Sequence, residues 1–149
     1  MELNFPTYDF KIKKTDGSVK IFDAIRKRWV ALTPEEWVRQ HMIRYLITEK
    51  QFSPALIAVE MPITVNRTSK RCDIVLFNSQ AKPLVIVECK APEVALTQKT
   101  IDQAAVYNMT LQVDNLLITN GISHHFCKVD FKNKKYVFLT EIPSYGELC

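Results

Sequence analysis

Polar and apolar residues alternate through Phe10-Lys11-Ile12-Lys13 and again through Val19-Lys20-Ile21-Phe22, with the turn residues Thr15-Asp16-Gly17-Ser18 between them. This predicts a β-hairpin. A basic, partly irregular link runs on to Leu32, and then the period changes. Thr33-Pro34-Glu35-Glu36 is a helix start: Thr33 can cap, Pro34 suits the first turn, and Glu36 stands where a capping box needs an acid. The spacing of Val38, Met42, Ile43, Leu46 and Ile47 predicts a helix to about Lys50 that buries them. Leu56 to Val65 reads as a strand, with Pro62 marking an edge or a bulge. A second helix, capped by Thr97 or Thr100, is expected to reach about Leu111 with Ile101, Ala104, Ala105 and Met109 inward. Apolar Asn115-Leu116-Leu117-Ile118-Thr119, the turn Asn120-Gly121, Ile122 to Val129 and Lys135 to Leu139 supply further strands. The segment from Glu141 to Glu147 has no period and is expected to be a loose end.

Between the two helices lies the stretch with the sharpest pattern. Apolar Ile74-Val75-Leu76-Phe77 and Leu84-Val85-Ile86-Val87 flank a polar run from Asn78 to Pro83. Folding the segment symmetrically about that run sets Asp73 opposite Glu88. Alternation puts Val75, Phe77, Leu84 and Ile86 on the face of the two acids, and Lys90 lies on the same face beyond Glu88. Directly opposed side chains stand roughly 4.5–5.5 Å apart at Cβ, where like charges destabilise unless something neutralises them. A divalent cation does that; acids at a strand edge also occur simply to discourage pairing with other chains. The order of elements describes a mixed α/β (α+β) domain: a central mixed β-sheet flanked by helices, with an N-terminal hairpin and no internal repeat.

With 149 residues, 47% hydrophobic and 24% charged, the chain fits a single domain able to bury a core, expected at about residues 20–140. No apolar run approaches the length of about 20 residues that crosses a bilayer, and the first residues show no signal-peptide pattern, so a cytoplasmic protein is expected. Cys72, Cys89, Cys127 and Cys149 form no close pair, which argues for reduced thiols over a zinc or redox motif. The net charge of +4 is mild, but Lys11, Lys13, Lys14, Lys20, Arg26, Lys27 and Arg28 crowd the first hairpin and its link. They read either as a phosphate-tracking arm or as a solvated hairpin.

Oxygen ligands alone, with no histidine or thiolate in the pattern, suit a hard cation such as Mg²⁺ or Mn²⁺. Such a site can hydrolyse a phosphodiester, with Lys90 stabilising charge on the transition state. Glu36 has two readings, a third acid ligand or a helix cap, with Glu35 as the alternative acid. Gln103 and Tyr107 share one face of the second helix, where an amide can hold a lysine or water and a phenol can meet a phosphate. His124-His125 lacks further ligands at useful spacing and reads as part of a strand or turn. Phe22, Trp29 and Trp37 can stack on bases or pack around the first helix.

Asp73, then Glu88-Cys89-Lys90 after a hairpin, a preceding helix with Glu36 and a following helix with Gln103-x-x-x-Tyr107 together resemble the PD-(D/E)xK nuclease superfamily. Ile25 to Gln40 and Leu117-Ile118-Thr119-Asn120-Gly121 are similar to the N-terminal nuclease domain of type I restriction enzyme R subunits. Cys72 stands where the superfamily name calls for proline. The resemblance implies a restriction-endonuclease-like core and Mg²⁺-dependent cleavage of DNA. It carries the cleavage roles to Asp73, Glu88 and Lys90, the helix acid to Glu36, and the QxxxY element to Gln103 and Tyr107. The expected site is thus Asp73, Glu88, Lys90 and Gln103 for catalysis, Asp73, Glu88 and Glu36 for the metal, and Tyr107 with the basic residues Lys27, Arg28 and Arg71 for DNA. The sequence contains no P-loop, so a helicase or specificity subunit, if needed, is expected in trans. The rival expectation is a noncatalytic nucleic-acid-binding or assembly module that keeps the fold.

Overall fold

A computed structural model describes residues 2–149. The hairpin is β1 (Ile12–Thr15) and β2 (Ser18–Asp23), and the supposedly irregular link contains a third strand, β3 (Arg28–Ala31), paired antiparallel to β2. The turn basics hid it: Trp29 and Val30 are the only apolar pair in that short strand, too few to show a period.

Next comes α1 (Pro34–Thr48), where the Thr33 hydroxyl accepts the backbone N–H of Glu36 at 3.0 Å. Val38, Met42, Ile43 and Leu46 are buried as the helical spacing required, while Ile47 is half-buried. Strands β4 (Ile57–Val65), β5 (Thr68–Phe77) and β6 (Pro83–Cys89) form a meander, α2 (Gln98–Leu111) crosses over, and β7 (Asn115–Thr119), β8 (His124–Asp130) and β9 (Lys135–Leu139) complete a six-stranded sheet in the order of the chain. The sheet is mixed because α2 returns the chain so that β7 runs parallel to β6, the other pairs being antiparallel. Pro62 sits in β4, an edge strand, where no ladder bond is lost on its outer side.

The core lies mainly between α1 and the face of the sheet carrying Ile74, Leu76, Val85, Val87 and Leu117. A register shift between Leu76 and Phe77 turns Leu84 into this core, away from Val75 and Ile86, with which strict alternation had grouped it. On α2, Thr97 is the cap. Asn108 takes the buried place expected for Met109: its amide donates to Val113 O and Asn115 O, and the Asn115 amide donates to Leu84 O at 2.9 Å. These bonds pin the end of α2 to the β6–β7 pair. The final segment is also ordered. A capping box between Ser144 and Glu147 starts α3 (Tyr145–Leu148), whose Tyr145 and Leu148 pack on the main core, so the expected loose end is a short docked turn.

Candidate functional site

The ladder between β5 and β6 begins at Ile74 with Val87, and Asp73 and Glu88 are the residues just beyond that last pair, near enough that the Glu88 charge acts on Asp73. Asp73 Oδ2 accepts a hydrogen bond from the backbone N–H of Cys89 at 2.7 Å, which fixes the carboxylate at this end of the hairpin. Glu88 is 7% exposed. Lys90 is held in line by its backbone N–H, which donates to Thr119 O at 2.8 Å, and its Nζ is 3.8 Å from Glu88 Oε2. Behind that contact, the Asn120 side chain bonds the backbone of Ile122, Ser123 and Val94, tying the loop after β7 to the loop after Lys90. Gly121 completes the turn at φ +85°, and a Cβ there would stand 2.9 Å from the Leu3 side chain.

Burial raises the Asp73 carboxyl to about 6, opposed by the Cys89 N–H; Glu88 pushes it further up, Arg39 pulls it down, and Glu35 adds a smaller upward push. The Asp73 carboxylate is therefore incompletely compensated. Lys70 supplies part of what is missing through a direct ion pair to Glu88. It also places its Nζ 4.5 Å from the centre of the Tyr107 ring. Lys70, Glu88, Lys90, Gln103 and Tyr107 line one small cavity of about 130 Å³, into which Thr100 and Ile118 also face. The face of α2 carrying Gln103 and Tyr107 is thus brought to the acid and lysines of the hairpin.

Glu36 is placed differently. Its Oε1 accepts from Arg26 at 2.7 Å, its Oε2 accepts from the Gln40 amide at 3.1 Å, and Arg39 Nε stands 3.2 Å from the same oxygen without aligning to donate. The carboxylate does not close a capping box back onto Thr33, because these inward partners hold it. It meets the acid pair only through Arg39, whose Nη1 is 2.8 Å from Glu60 and 3.7 Å from Asp73. Among the described residues no three acid, histidine or cysteine side chains are grouped in ligand geometry. The acid on α1 that reaches Asp73 electrostatically is Glu35.

Lys27 and Arg28 lie exposed at the turn between β2 and β3, away from the hairpin lysines in sequence. Arg71 donates from Nε to Glu60 at 2.9 Å but leaves 66% of its side chain open. His124 is structural: Nδ1 meets Thr119 Oγ1 at 2.7 Å and Nε2 meets Asn4 O at 3.1 Å. Burial pushes its pKa down. On α1, Trp37 packs against Phe10 and against His41 one turn on.

Sequence reasoning missed Lys70, Arg39 and Glu60. Strict alternation sends Lys70 to the face opposite Asp73. Before Ile74, however, β5 pairs with β4 alone, and Cys72 and Val75, three apart in sequence, face the same cluster. Glu60, at the position the β4–β5 ladder skips between Val59–Ile74 and Met61–Cys72, has φ +56° in mid-strand, a conformation costing about 1–3 kcal/mol for such a residue. Nothing in the sequence announces that. Arg39 did leave a signal: Glu36, Arg39 and Gln40 share a helix face that an apolar core would not hold.

The mixed sheet and the acid–acid–lysine hairpin on it are consistent with the PD-(D/E)xK class. A family model described as "Type I restriction enzyme R protein N terminus (HSDR_N)" matches residues 34–143. The chain belongs to that family. In fold it is similar to a fragment described as that of an HsdR subunit of a type I restriction enzyme from Vibrio vulnificus, with a TM-score of 0.55 and 22% identity over 78% of this chain. The chain spans 24% of that one. No curated protein matches it in sequence. No helix among the described residues is long and apolar enough to cross a membrane.

Proposed function

We propose that this domain is a metal-dependent deoxyribonuclease related to restriction, with Asp73, Glu88 and Lys90 as its cleavage residues. The observation that carries the reading is the under-compensated Asp73 close to Glu88, which has two lysines on it, beside a cavity lined by Gln103 and Tyr107. The donors fit a hard cation: both are carboxylates, and Asp73 Oδ1 is free of hydrogen bonds, facing only Arg39 at 3.7 Å. Asp73 and Glu88 would hold Mg²⁺ or Mn²⁺, with Glu35 as the third acid in place of Glu36. When bound, the ion supplies Lewis-acid polarisation of the phosphoryl oxygen and a more acidic bound water.

The remaining work falls to the chain. Lys90, 39% open at its side chain, stabilises negative charge developing on the phosphate oxygens. Gln103 orients Lys90 or the attacking water, and Tyr107 contacts a neighbouring phosphate. The family supports a partnership with DNA and with the other type I restriction subunits, including a motor or specificity subunit in trans. The test is incubation of the purified protein with supercoiled and linear DNA in Mg²⁺, Mn²⁺ or EDTA. Cleavage that requires the metal is expected; cleavage that survives Asp73→Ala, Glu88→Ala and Lys90→Ala alike overturns the site. Binding without cleavage under either metal would favour the noncatalytic module.

A further inference from the structure

The three-stranded sheet precedes the stretch matched by the family, residues 34–143, and its outer face takes no part in the site above. Register fixes what that face carries. Lys13 pairs directly with Lys20, and Phe22 with Trp29, so by alternation these four side chains and Lys11 share one side. The other side faces the body: Ile21 and Asp23 are fully buried, and Ile12 lines a cleft of about 390 Å³ with Trp37 and Pro92. Lysines and aromatic rings therefore interleave on the outward surface.

We propose that this face is a stacking platform for single-stranded DNA, with Trp29 and Phe22 stacking on bases and Lys11, Lys13 and Lys20 meeting the phosphates. The ligand class rests on the nuclease reading. Two opposed lysines repel each other, and among the described residues none of the three is in an ion pair. An anionic partner removes that repulsion. Two ammonium groups already lie on the rings, Lys13 Nζ 4.3 Å from the centre of Trp29 and Lys11 Nζ 5.7 Å from that of Phe22. These are the free ends of long side chains, and a base that displaces one leaves it beside the adjoining phosphate. An open sheet face carrying aromatic rings and cations accepts unstacked bases with little regard to sequence, whereas a duplex hides its base faces.

The platform is also fixed relative to the acid pair. Buried Asp23 bonds Arg26, Arg26 bonds Glu36, and Arg39 stands between Glu36 and Asp73. A strand held on the sheet is thereby presented by a rigid arm.

Binding is measured by fluorescence anisotropy of a fluorescein-labelled oligo-dT of about 20 nucleotides, in EDTA so that cleavage plays no part. Trp29→Ala is expected to weaken binding about tenfold, as loss of one stacked base does. Lys13→Glu with Lys20→Glu is expected to weaken it and to reduce the salt slope by about 1.4, two phosphate contacts' worth. In Trp37→Phe, where Trp29 is the remaining tryptophan, addition of oligo-dT is expected to quench the indole fluorescence; this readout keeps the platform intact. Wild-type binding by Trp29→Ala, or absence of the quench, overturns the proposal. So does a duplex of equal length that competes as well as the single strand, since that would mean charge without stacking. Because the assay contains no metal, these outcomes stand whether or not the acid pair cleaves DNA.

Discussion

Glu36 and Asp73 are both acids at the junction of α1 and the sheet, and Arg39 touches both, yet their surroundings are opposite. Glu36 is 5% exposed and has Arg26, Gln40 and Arg39 around its two oxygens. Asp73 has one backbone N–H, a distant arginine at 3.7 Å and a second carboxylate close by, and its carboxyl is raised to about 6. A buried charge surrounded by partners is a structural element; one left short of partners stores unfavourable energy that a ligand can release. The difference separates scaffold from site more clearly than residue type does. By that measure Glu36, attractive by position, is expected to serve the scaffold instead of the metal.

The largest effect expected is on cleavage. Asp73→Asn, Glu88→Gln and Lys90→Ala should each lower the rate of metal-dependent plasmid nicking by about a thousandfold or more, because each removes a group needed in the transition state. Folding should survive in all three, checked by circular dichroism. If any of them cleaves at the wild-type rate, that residue is not part of the site.

Glu36→Ala should do the reverse. It leaves Arg26 and Arg39 buried beside an empty place, and breaking a buried pair in this way costs about 3–5 kcal/mol. Urea unfolding should show a midpoint well below wild type, and any loss of cleavage should follow the fraction unfolded. A Glu36→Ala protein of wild-type stability but without activity would return Glu36 to the metal site and dissolve the distinction drawn above.

Most of the hairpin was legible in the sequence, since equal apolar runs about a polar loop admit one register that buries both. Asp73 against Glu88 followed from that symmetry. The turn Thr119-Asn120-Gly121 could be read too, though not its task of bracing Lys90. Residues whose placement depends on irregular backbone were hidden: Lys70 reaches Glu88 from the part of β5 that precedes its pairing with β6 at Ile74, and Glu60 reaches Arg39 from a left-handed position. Short elements were hidden for another reason. β3 and α3 have four residues each, fewer than a period needs to declare itself.

The contrast between the two acids predicts that removing the Asp73 charge helps the metal-free fold. The carboxyl titrates near 3.8 when unfolded and about 6 when folded, so between those values the native chain binds more protons than the unfolded one. Stability in EDTA should therefore fall as pH rises from about 4 to about 6, by at most about 3 kcal/mol. Asp73→Asn, which can still accept the Cys89 N–H, should flatten that fall and raise Tm at pH 7 while abolishing cleavage. A lower Tm for Asp73→Asn at pH 7 would show that the acid is satisfied after all.

The smallest effect concerns the cation that the protein supplies itself. Lys70 sits on Glu88 in a direct ion pair, and its ammonium must give way or share when a divalent ion binds the same carboxylate. Lys70→Met keeps the apolar stem of the side chain but gives up the ammonium over the Tyr107 ring, and it removes the competitor. Binding of Mn²⁺ measured by calorimetry in the absence of DNA should then tighten by about three- to tenfold, the size of a partly exposed charge pair. DNA binding should weaken slightly at the same time, since one cation is gone from the phosphate side of the cavity. Weaker Mn²⁺ binding in Lys70→Met would mean that Lys70 orders Glu88 for the metal instead of standing in for it.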